Sequence, residues 1–227
     1  MDARSSVEYI LSTVTPDTKT ELCDVMTSSG SDKGNGHHNY TVLYSHLFGP
    51  VRNRPIKLFE MGLGTNDITI PSNMGIHGVF GASVYGWEKY FTHPDTRIYG
   101  ADIDDRIQIT TDKITTYYCN QLDADSLRRL YTCDDLKNVL FDIIIDDGLH
   151  TFDACSSMLK NSFHKLAPGG IYIVEDVHEG DMFENLKHVT IDGVHYMKLI
   201  RVPGCKNILD NNLLVIQKSF NDLELSV

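Results

Sequence analysis

Short apolar runs alternate with amphipathic stretches along most of this chain. The runs have the length and the branched or aromatic content of strands, and they cover residues 56–61, 97–101, 114–119, 140–145, 171–174, 195–200 and 212–218. Apolar residues at spacings of three and four predict helices within 6–28 and over 40–48, 126–131 and 152–166. Alternating strands and helices are typical of a doubly wound, mostly parallel sheet, and the last two strands have the spacing of an antiparallel hairpin. The pattern therefore predicts an α/β fold.

No repeat, low-complexity tract or linker divides the sequence. We therefore expect one domain over residues 1–227, with a helical N-terminal segment at 1–50 and the α/β core at 55–220. A connection at 65–91, rich in glycine, asparagine and aromatic residues, follows the first strand, and connections longer than about 12–15 residues are usually functional or mobile. Part of its aromatic set has helical spacing, so we expect Trp87 to be buried and Tyr85 to contact a substrate.

Composition and charge limit the classes of function. The chain has 227 residues, of which 41% are hydrophobic and 22% charged, as in ordinary globular proteins. Its net charge of −11 argues against a nucleic-acid partner, whose phosphates require a basic surface, and against an anionic membrane. The first residues lack the apolar core of a signal peptide, and the five cysteines include no Cys-x-x-Cys pair. We therefore expect a cytoplasmic protein with free thiols and a small-molecule partner.

Carboxylates follow two of the predicted strands. The fourth strand runs into the sequence Asp-Asp-Gly-Leu-His, which ends at His150, and the fifth runs into Glu175-Asp176. Because the carboxyl ends of parallel strands meet at one edge of a sheet, the carboxylates that follow these two strands make a candidate cation site, and the short turn at Gly148 brings His150 back beside Asp147. The alternative is that the two aspartates only cap a helix that begins near residue 151, and that His150 is a surface residue.

A Gly-x-Gly turn, Gly62 and Gly64, follows the first strand. Glycine lets the backbone approach a ligand closely, but the dinucleotide-binding form of this turn requires a third glycine where the sequence has Asp67. After the second strand, Asp102 is placed to accept hydrogen bonds from a ribose, and the amides that end the third strand are placed to contact an adenine edge. The alternative is a tight turn without a ligand, with aspartates that cap the chain locally.

Together, these strand ends resemble the nucleoside-binding series of class I S-adenosylmethionine-dependent methyltransferases. More narrowly, the sequence resembles the metal-dependent sugar O-methyltransferases of the macrocin, mycinamicin and noviose group over roughly residues 28–180. The segments that carry the resemblance are SDKG at 31–34, HHNYT at 37–41, GAS at 81–83, GW at 86–87, YGADID at 99–104, DDGLH at 146–150 and GGIYIVED at 169–176. The specificity of the resemblance comes from the ensemble, since each piece alone is a weak signal.

The resemblance implies a seven-stranded Rossmann-like sheet, S-adenosylmethionine as cofactor, Mg²⁺ or another divalent cation, and an assembly that is often a homo-oligomer. It implies cofactor-binding roles for Glu60, Gly62, Gly64, Ser83, Asp102, Asn120, Gln121 and Asp146, although the family usually has an acidic residue at the position of Asn120. It implies a cation held by Asp147, Glu175 and Asp176, with Asp147 and His150 as catalytic residues and His150 as the general base. Segment 32–44 is expected to fold over the cofactor. The alternative for its two tyrosines, Tyr40 and Tyr44, is that they are core residues of the helix.

The chemistry of these residue types agrees with that role. Carboxylate oxygens suit Mg²⁺, and a hydroxyl coordinated to such an ion loses its proton more readily. A histidine with an ordinary pKa of about 6.5 can accept that proton near pH 7. We therefore expect transfer of a methyl group from S-adenosylmethionine to a sugar hydroxyl of a glycoside or glycan. The alternatives are a catechol-like diol as acceptor, an NAD-type oxidoreductase, and a binding module without activity.

Overall fold

A seven-stranded sheet forms the centre of the molecule. The computed structural model describes residues 1–202 and 210–220. The strands are β1 (Lys57–Met61), β2 (Arg97–Asp102), β3 (Ile114–Tyr118), β4 (Phe141–Asp146), β5 (Leu166–Val174), β6 (Val194–Arg201) and β7 (Asn212–Lys218). Their order is β3-β2-β1-β4-β5-β7-β6; the first five are parallel, and β7 is antiparallel to both β5 and β6. The predicted mostly parallel sheet with a C-terminal antiparallel hairpin is confirmed.

Helices cover both faces of the sheet. They are α1 (Ala3–Thr13), α2 (Glu21–Ser29), α3 (Thr41–Phe48), α4 (Ala82–Tyr90), α5 (Ala124–Thr132), α6 (Phe152–Ser162) and α7 (Asp181–Leu186). The helical stretch predicted within 6–28 is two helices separated by the loop that contains Pro16, because proline cannot continue a helix interior. Among the described residues, no helix combines the length and apolarity needed to cross a bilayer. The described cysteines Cys23, Cys119, Cys133 and Cys155 are free thiols, and Cys205 lies outside the described residues.

The connection at 65–91 contains a regular helix. Its last third is α4, whose spacing of three and four buries Trp87 completely against the rings of Tyr44 and Phe48. Burial of Trp87 is therefore confirmed. Tyr85 is half-buried and packs against the same core, so its contact with a substrate stays a prediction.

Alternate residues of the central strands serve two hydrophobic cores. Leu58 of β1 packs into the core beneath α1 to α4, and the adjacent Phe59 packs into the core beneath α5 and α6. In β4, Ile143 and Ile144 divide between the cores in the same way. Burial on both faces is the reason that these strands are apolar throughout.

The register of the strands brings the predicted polar groups to one edge. Met61, the last residue of β1, pairs with Ala101 of β2 and Asp146 of β4, and Asp146 pairs with Val174 of β5. The residues that follow these strands therefore start at the same level. The strand order also reverses at β1, because β2 and β3 lie on one side of it and β4 and β5 on the other. Such a switch point opens the crevice in which α/β sheets bind ligands.

Candidate active site

A cavity of about 890 Å³ lies at this edge of the sheet. Most of the residues predicted to form a site line it: Gly62, Gly64, Ser83, Asp102, Asn120, Gln121, Asp147, His150 and Asp176. The other three, Glu60, Asp146 and Glu175, are buried behind the cavity wall, each at most 1% exposed. We call the part around Asp147, His150 and Asp176 the carboxylate end, and the part around Gly62, Gly64 and Asp102 the glycine end.

At the carboxylate end, an imidazole lies between two carboxylates. His150 Nε2 is 3.3 Å from Asp147 Oδ1, and His150 Nδ1 is 3.5 Å from Asp176 Oδ2. One potential ligand atom from each of the three side chains lies within 4.8 Å of the others. The helix that follows is capped by Thr151, whose side chain accepts from the Ala154 amide. Asp147 is therefore not the cap of α6, and that alternative reading of the motif is wrong.

Asp176 has an unusual backbone conformation. Its φ of +50° lies in the left-handed region, which costs energy for a residue with a side chain. Tyr40 stabilises this turn, since its hydroxyl donates to Asp176 Oδ1 over 2.5 Å and accepts from the Asp176 amide over 3.3 Å. The strained turn points successive side chains in different directions, so that Asp176 faces the cavity and Glu175 faces the protein interior.

A buried lysine joins the carboxylates from behind. Lys33, in the loop between α2 and α3, is 1% exposed, and its Nζ lies 2.5 Å from both Asp147 Oδ2 and Glu175 Oε2. Glu60 Oε1 is 3.3 Å from the same nitrogen. The second oxygen of Glu175 accepts from the Tyr44 hydroxyl over 2.5 Å. Glu175 thus has a protein partner at each of its oxygens.

Burial and neighbouring charges shift the pKa values in this cluster. Burial raises the pKa of Glu175 and of Asp176, and it raises that of Asp146 to about 6. Burial has the same effect on Asp147, but Lys33 and His150 outweigh it and lower the pKa of Asp147 to about 2. For His150, burial lowers the pKa, but the adjacent carboxylates outweigh it and raise the value to about 9.

Lys33 remains charged. Its three carboxylate neighbours outweigh the effect of burial and hold the pKa of the ammonium well above its ordinary value. Carboxylates nevertheless outnumber cationic groups here: Glu60, Asp146, Asp147, Glu175 and Asp176 surround Lys33 and His150. Their oxygens are hard donors of the kind that suit a divalent cation such as Mg²⁺, and a bound cation would favour the ionised form of those carboxylates whose pKa burial raises. The residues present therefore fit the predicted metal.

The glycine end is built by backbone geometry. Gly62 has a φ of +88°, and a Cβ at this position would lie 1.9 Å from the carbonyl oxygen of Asp147. Gly64 has a φ of +77°, and a Cβ there would lie 2.1 Å from the sulfur of Met74. Both positions require glycine for the packing of the protein itself. The close approach of β1 to the loop after β4 also ties the two ends of the cavity together.

Asp102 fixes the turn after β1. Its Oδ2 accepts from the Leu63 amide over 2.6 Å and its Oδ1 accepts from the Asp104 amide over 2.8 Å. The carboxylate is buried and borders the cavity, and burial raises its pKa. Each carboxylate oxygen can accept a second hydrogen bond, so these contacts leave capacity for a ligand hydroxyl.

The amides after β3 are engaged in the protein. Gln121 donates to Asp146 Oδ1 over 2.5 Å and accepts from the Leu149 amide over 2.9 Å. Asn120 accepts from the Leu122 amide over 3.0 Å, which forms a local turn. Gln121 thereby holds the loop after β4 in place, a role that the sequence does not indicate.

Sequence reasoning assigned no role in the charged cluster to Lys33 or His38. His38 Nδ1 lies 3.4 Å from Asp176 Oδ1, beside the Tyr40 hydroxyl. Segment 31–44 thus supplies a lysine, a histidine and two tyrosines to the carboxylate end. The family resemblance was the signal that could have identified these residues, because the matching segments SDKG and HHNYT contain Lys33, His38 and Tyr40.

Comparison with known proteins gives sequence relatives and a structural neighbour. No family model matches the chain. It is 34% identical over 150 residues to 8-demethyl-8-alpha-L-rhamnosyl tetracenomycin-C 2'-O-methyltransferase of Streptomyces olivaceus, a match that covers 65% of this chain and 35% of the relative. It is 32% identical over 146 residues to L-olivosyl-oleandolide 3-O-methyltransferase of Streptomyces antibioticus, covering 64% of this chain and 34% of the relative. The matches thus span about a third of the length of these curated relatives.

One solved structure that resembles this chain is the MycE methyltransferase from the mycinamycin biosynthetic pathway, in complex with Mg and SAH. It superposes with a TM-score of 0.69 at 23% identity, over 92% of this chain and 57% of that chain. At this identity the likeness establishes the fold. The expected resemblance is confirmed: this chain has a class I methyltransferase fold and is similar in sequence to sugar O-methyltransferases.

Proposed function

We propose that the protein transfers a methyl group from S-adenosylmethionine to a hydroxyl of a sugar carried by a small molecule or glycan, with the help of a divalent cation. The observation that carries this proposal is a single cavity that joins the carboxylate end to the glycine end. The sequence relatives are named as methyltransferases of rhamnosyl and olivosyl compounds, which supports a sugar as acceptor.

The glycine end would hold the cofactor. Gly62 and Gly64 line the cavity without side chains, which leaves room for a ligand beside the backbone, and Asp102 would present a buried carboxylate to the hydroxyls of a ribose. Ser83 lies in the first turn of α4, where backbone amides and the helix dipole favour a negatively charged group. The cavity volume of about 890 Å³ lies in the upper part of the range of roughly 300–1,000 Å³ that is usual for ligand sites.

The carboxylate end would hold the cation. Asp147 and Asp176 border the cavity, whereas Glu175 reaches the same cluster from the interior side. All three remain the proposed metal residues. A bound divalent cation would lower the pKa of a coordinated hydroxyl and thereby prepare it for attack on a methyl group.

His150 is the proposed proton acceptor. Its imidazole lies at the cavity wall, 3.3 Å from Asp147 and 3.5 Å from Asp176. With only these carboxylates as partners its pKa is about 9, which corresponds to a protonated ring at pH 7. Positive charge at Asp147 and Asp176 would oppose that proton and return the pKa toward neutrality, where histidine is an effective base.

Calorimetry tests the cofactor first. We expect S-adenosylhomocysteine to bind with micromolar affinity and NAD to show no binding, each measured with Mg²⁺ and with a chelator. Binding of NAD alone would contradict the methyltransferase proposal.

Methyl transfer to a panel of acceptors tests the reaction. Rhamnosides and olivosides should accept methyl groups only when divalent cations are present. Transfer to catechols but not to glycosides would identify a diol methyltransferase, and the absence of transfer to any acceptor despite cofactor binding would favour a binding module.

A further inference from the structure

The Lys33 ammonium contacts two of the three carboxylates that were predicted to hold a metal, and Glu60 as well. Its Nζ lies 2.5 Å from Asp147 Oδ2, 2.5 Å from Glu175 Oε2 and 3.3 Å from Glu60 Oε1. These distances correspond to charge-assisted hydrogen bonds with two of the proposed ligands. The same oxygen atoms would be required by a divalent cation.

The backbone around this lysine is held firmly. The Lys33 amide donates to Ser31 Oγ over 3.3 Å, and the Lys33 carbonyl accepts from the Thr41 amide over 3.1 Å. A Cβ at the next residue, Gly34, would lie 2.7 Å from the Thr27 hydroxyl, so the chain has little space to shift. The buried ammonium is therefore delivered to the carboxylates by a fixed loop.

We propose that Lys33 is a built-in cation of the site and competes with the divalent cation for Asp147 and Glu175, so that it sets the affinity of the protein for the metal. This inference rests on the proposed function, because it requires that a divalent cation binds at the carboxylate end. Lys33 is a positioning residue, since it acts on the metal and on His150 through the carboxylate of Asp147.

The charges determine the direction of the effect. A divalent cation at Asp147 and Glu175 would lie close to the ammonium, and like charges repel strongly in a partly buried site. Removal of the ammonium therefore relieves repulsion and frees two carboxylate oxygens. A lysine that only supported the fold would give the opposite result, since its loss would misplace the carboxylates and weaken metal binding.

Titration of the purified full chain with Mn²⁺ by calorimetry tests this inference. We expect Lys33→Met to bind Mn²⁺ at least tenfold more tightly than the wild type. The matched control is Lys89→Met, which removes an exposed lysine bonded to the Ser29 hydroxyl and should leave the affinity within about twofold. Unchanged or weaker binding by Lys33→Met would overturn the inference.

A second measurement covers loss of stability in the variant. Lys33→Met leaves three carboxylates without their common partner, so its melting temperature without metal should fall. The increase in melting temperature on adding Mn²⁺ should be larger for Lys33→Met than for the wild type. If Lys33→Met does not fold, Lys33→Gln, which keeps hydrogen-bond donors without the charge, is used for both measurements.

The outcomes separate this inference from the proposed function. If Mn²⁺ binds to Lys33→Met but not to the wild type, the lysine has replaced the metal, which contradicts the cation in the proposed function and supports the competition. If Mn²⁺ binds equally to both proteins, the cation proposal stands and the competition is refuted. If neither protein binds Mn²⁺, both are refuted.

Discussion

The two ends of the cavity are built on different principles. The glycine end is defined by backbone: Gly62 and Gly64 adopt positive φ values, and Asp102 accepts hydrogen bonds from neighbouring amides. The carboxylate end is defined by charged side chains from distant segments, such as Lys33 and Glu175, which are 142 residues apart. Its electrostatics therefore depend on contacts that form only when the chain is folded.

This difference indicates how each end should respond to substitution. At the glycine end, the backbone provides the shape, so damage should appear as loss of stability and of cofactor binding. At the carboxylate end, the side chains that line the cavity would provide charge and proton transfer, so damage to them should appear mainly in turnover. Substitutions at each end test that division.

The largest effect is expected from His150→Ala. If His150 accepts the proton of the acceptor hydroxyl, its removal should lower kcat by about 10²- to 10⁴-fold. Binding of S-adenosylhomocysteine should remain within about threefold, because the imidazole lies at the carboxylate end. The measurements are methyl transfer from labelled S-adenosylmethionine to a glycoside, and calorimetry.

The matched control for that variant is His178→Ala, which removes a half-exposed histidine near the end of β5. It should leave kcat unchanged. Equal losses in the two variants would show that His150 has no special role in the reaction.

The next effect is on stability, at the glycine end. Gly62→Ala combines an unfavourable φ of +88° with a Cβ that would contact the Asp147 carbonyl, so it should lower the free energy of unfolding by about 3 kcal/mol or more. Gly36→Ala is the control, since its φ is +101° but no heavy atom lies within 4 Å of the new Cβ; it should cost only about 1 kcal/mol. Chemical denaturation measures both, and equal losses would mean that contact with the loop after β4 is unimportant.

Much of the fold could be predicted from the sequence, because each strand is a local apolar run. β4 is an example. Both of its faces are buried, so its isoleucines have to be hydrophobic throughout, and the carboxylates directly after them have to lie at the edge of the sheet. The adjacency of Asp147 and His150 was predictable for the same reason, since it depends on three residues of local chain.

The partners of those carboxylates could not be predicted from local patterns. Lys33 has the local sequence of an exposed loop residue, and its burial depends on one carboxylate in β1 and on two that directly follow β4 and β5. The orientations of Glu175 and Asp176 were equally hidden, because they depend on the left-handed turn at Asp176. Long-range charge pairing and backbone strain leave no periodic signal in a sequence.

A smaller effect is expected from Tyr44→Phe. The tyrosine hydroxyl donates to the buried Glu175 carboxylate over 2.5 Å, so its removal leaves one carboxylate oxygen without that donor. The free energy of unfolding should fall by about 1–3 kcal/mol. Tyr118→Phe, on a half-exposed ring, is the control and should be neutral. A neutral result for Tyr44→Phe would show that Glu175 is adequately held by Lys33 alone.

The smallest effect is expected from Asp102→Asn. The asparagine oxygen can still accept from the Leu63 amide, but the side-chain NH₂ that replaces the other oxygen is a donor and faces the Asp104 amide. The negative charge that would attract ribose hydroxyls is also lost. Because hydrogen bonds to charged groups exceed neutral ones by about 1 kcal/mol, the affinity for S-adenosylhomocysteine should fall about five- to tenfold. Asp105→Asn, an exposed neighbour, should leave it unchanged. A lower kcat for Asp102→Asn with unchanged cofactor binding would contradict the division between a binding end and a reacting end. The substitution would then have affected the carboxylate end through the turn that Asp102 supports.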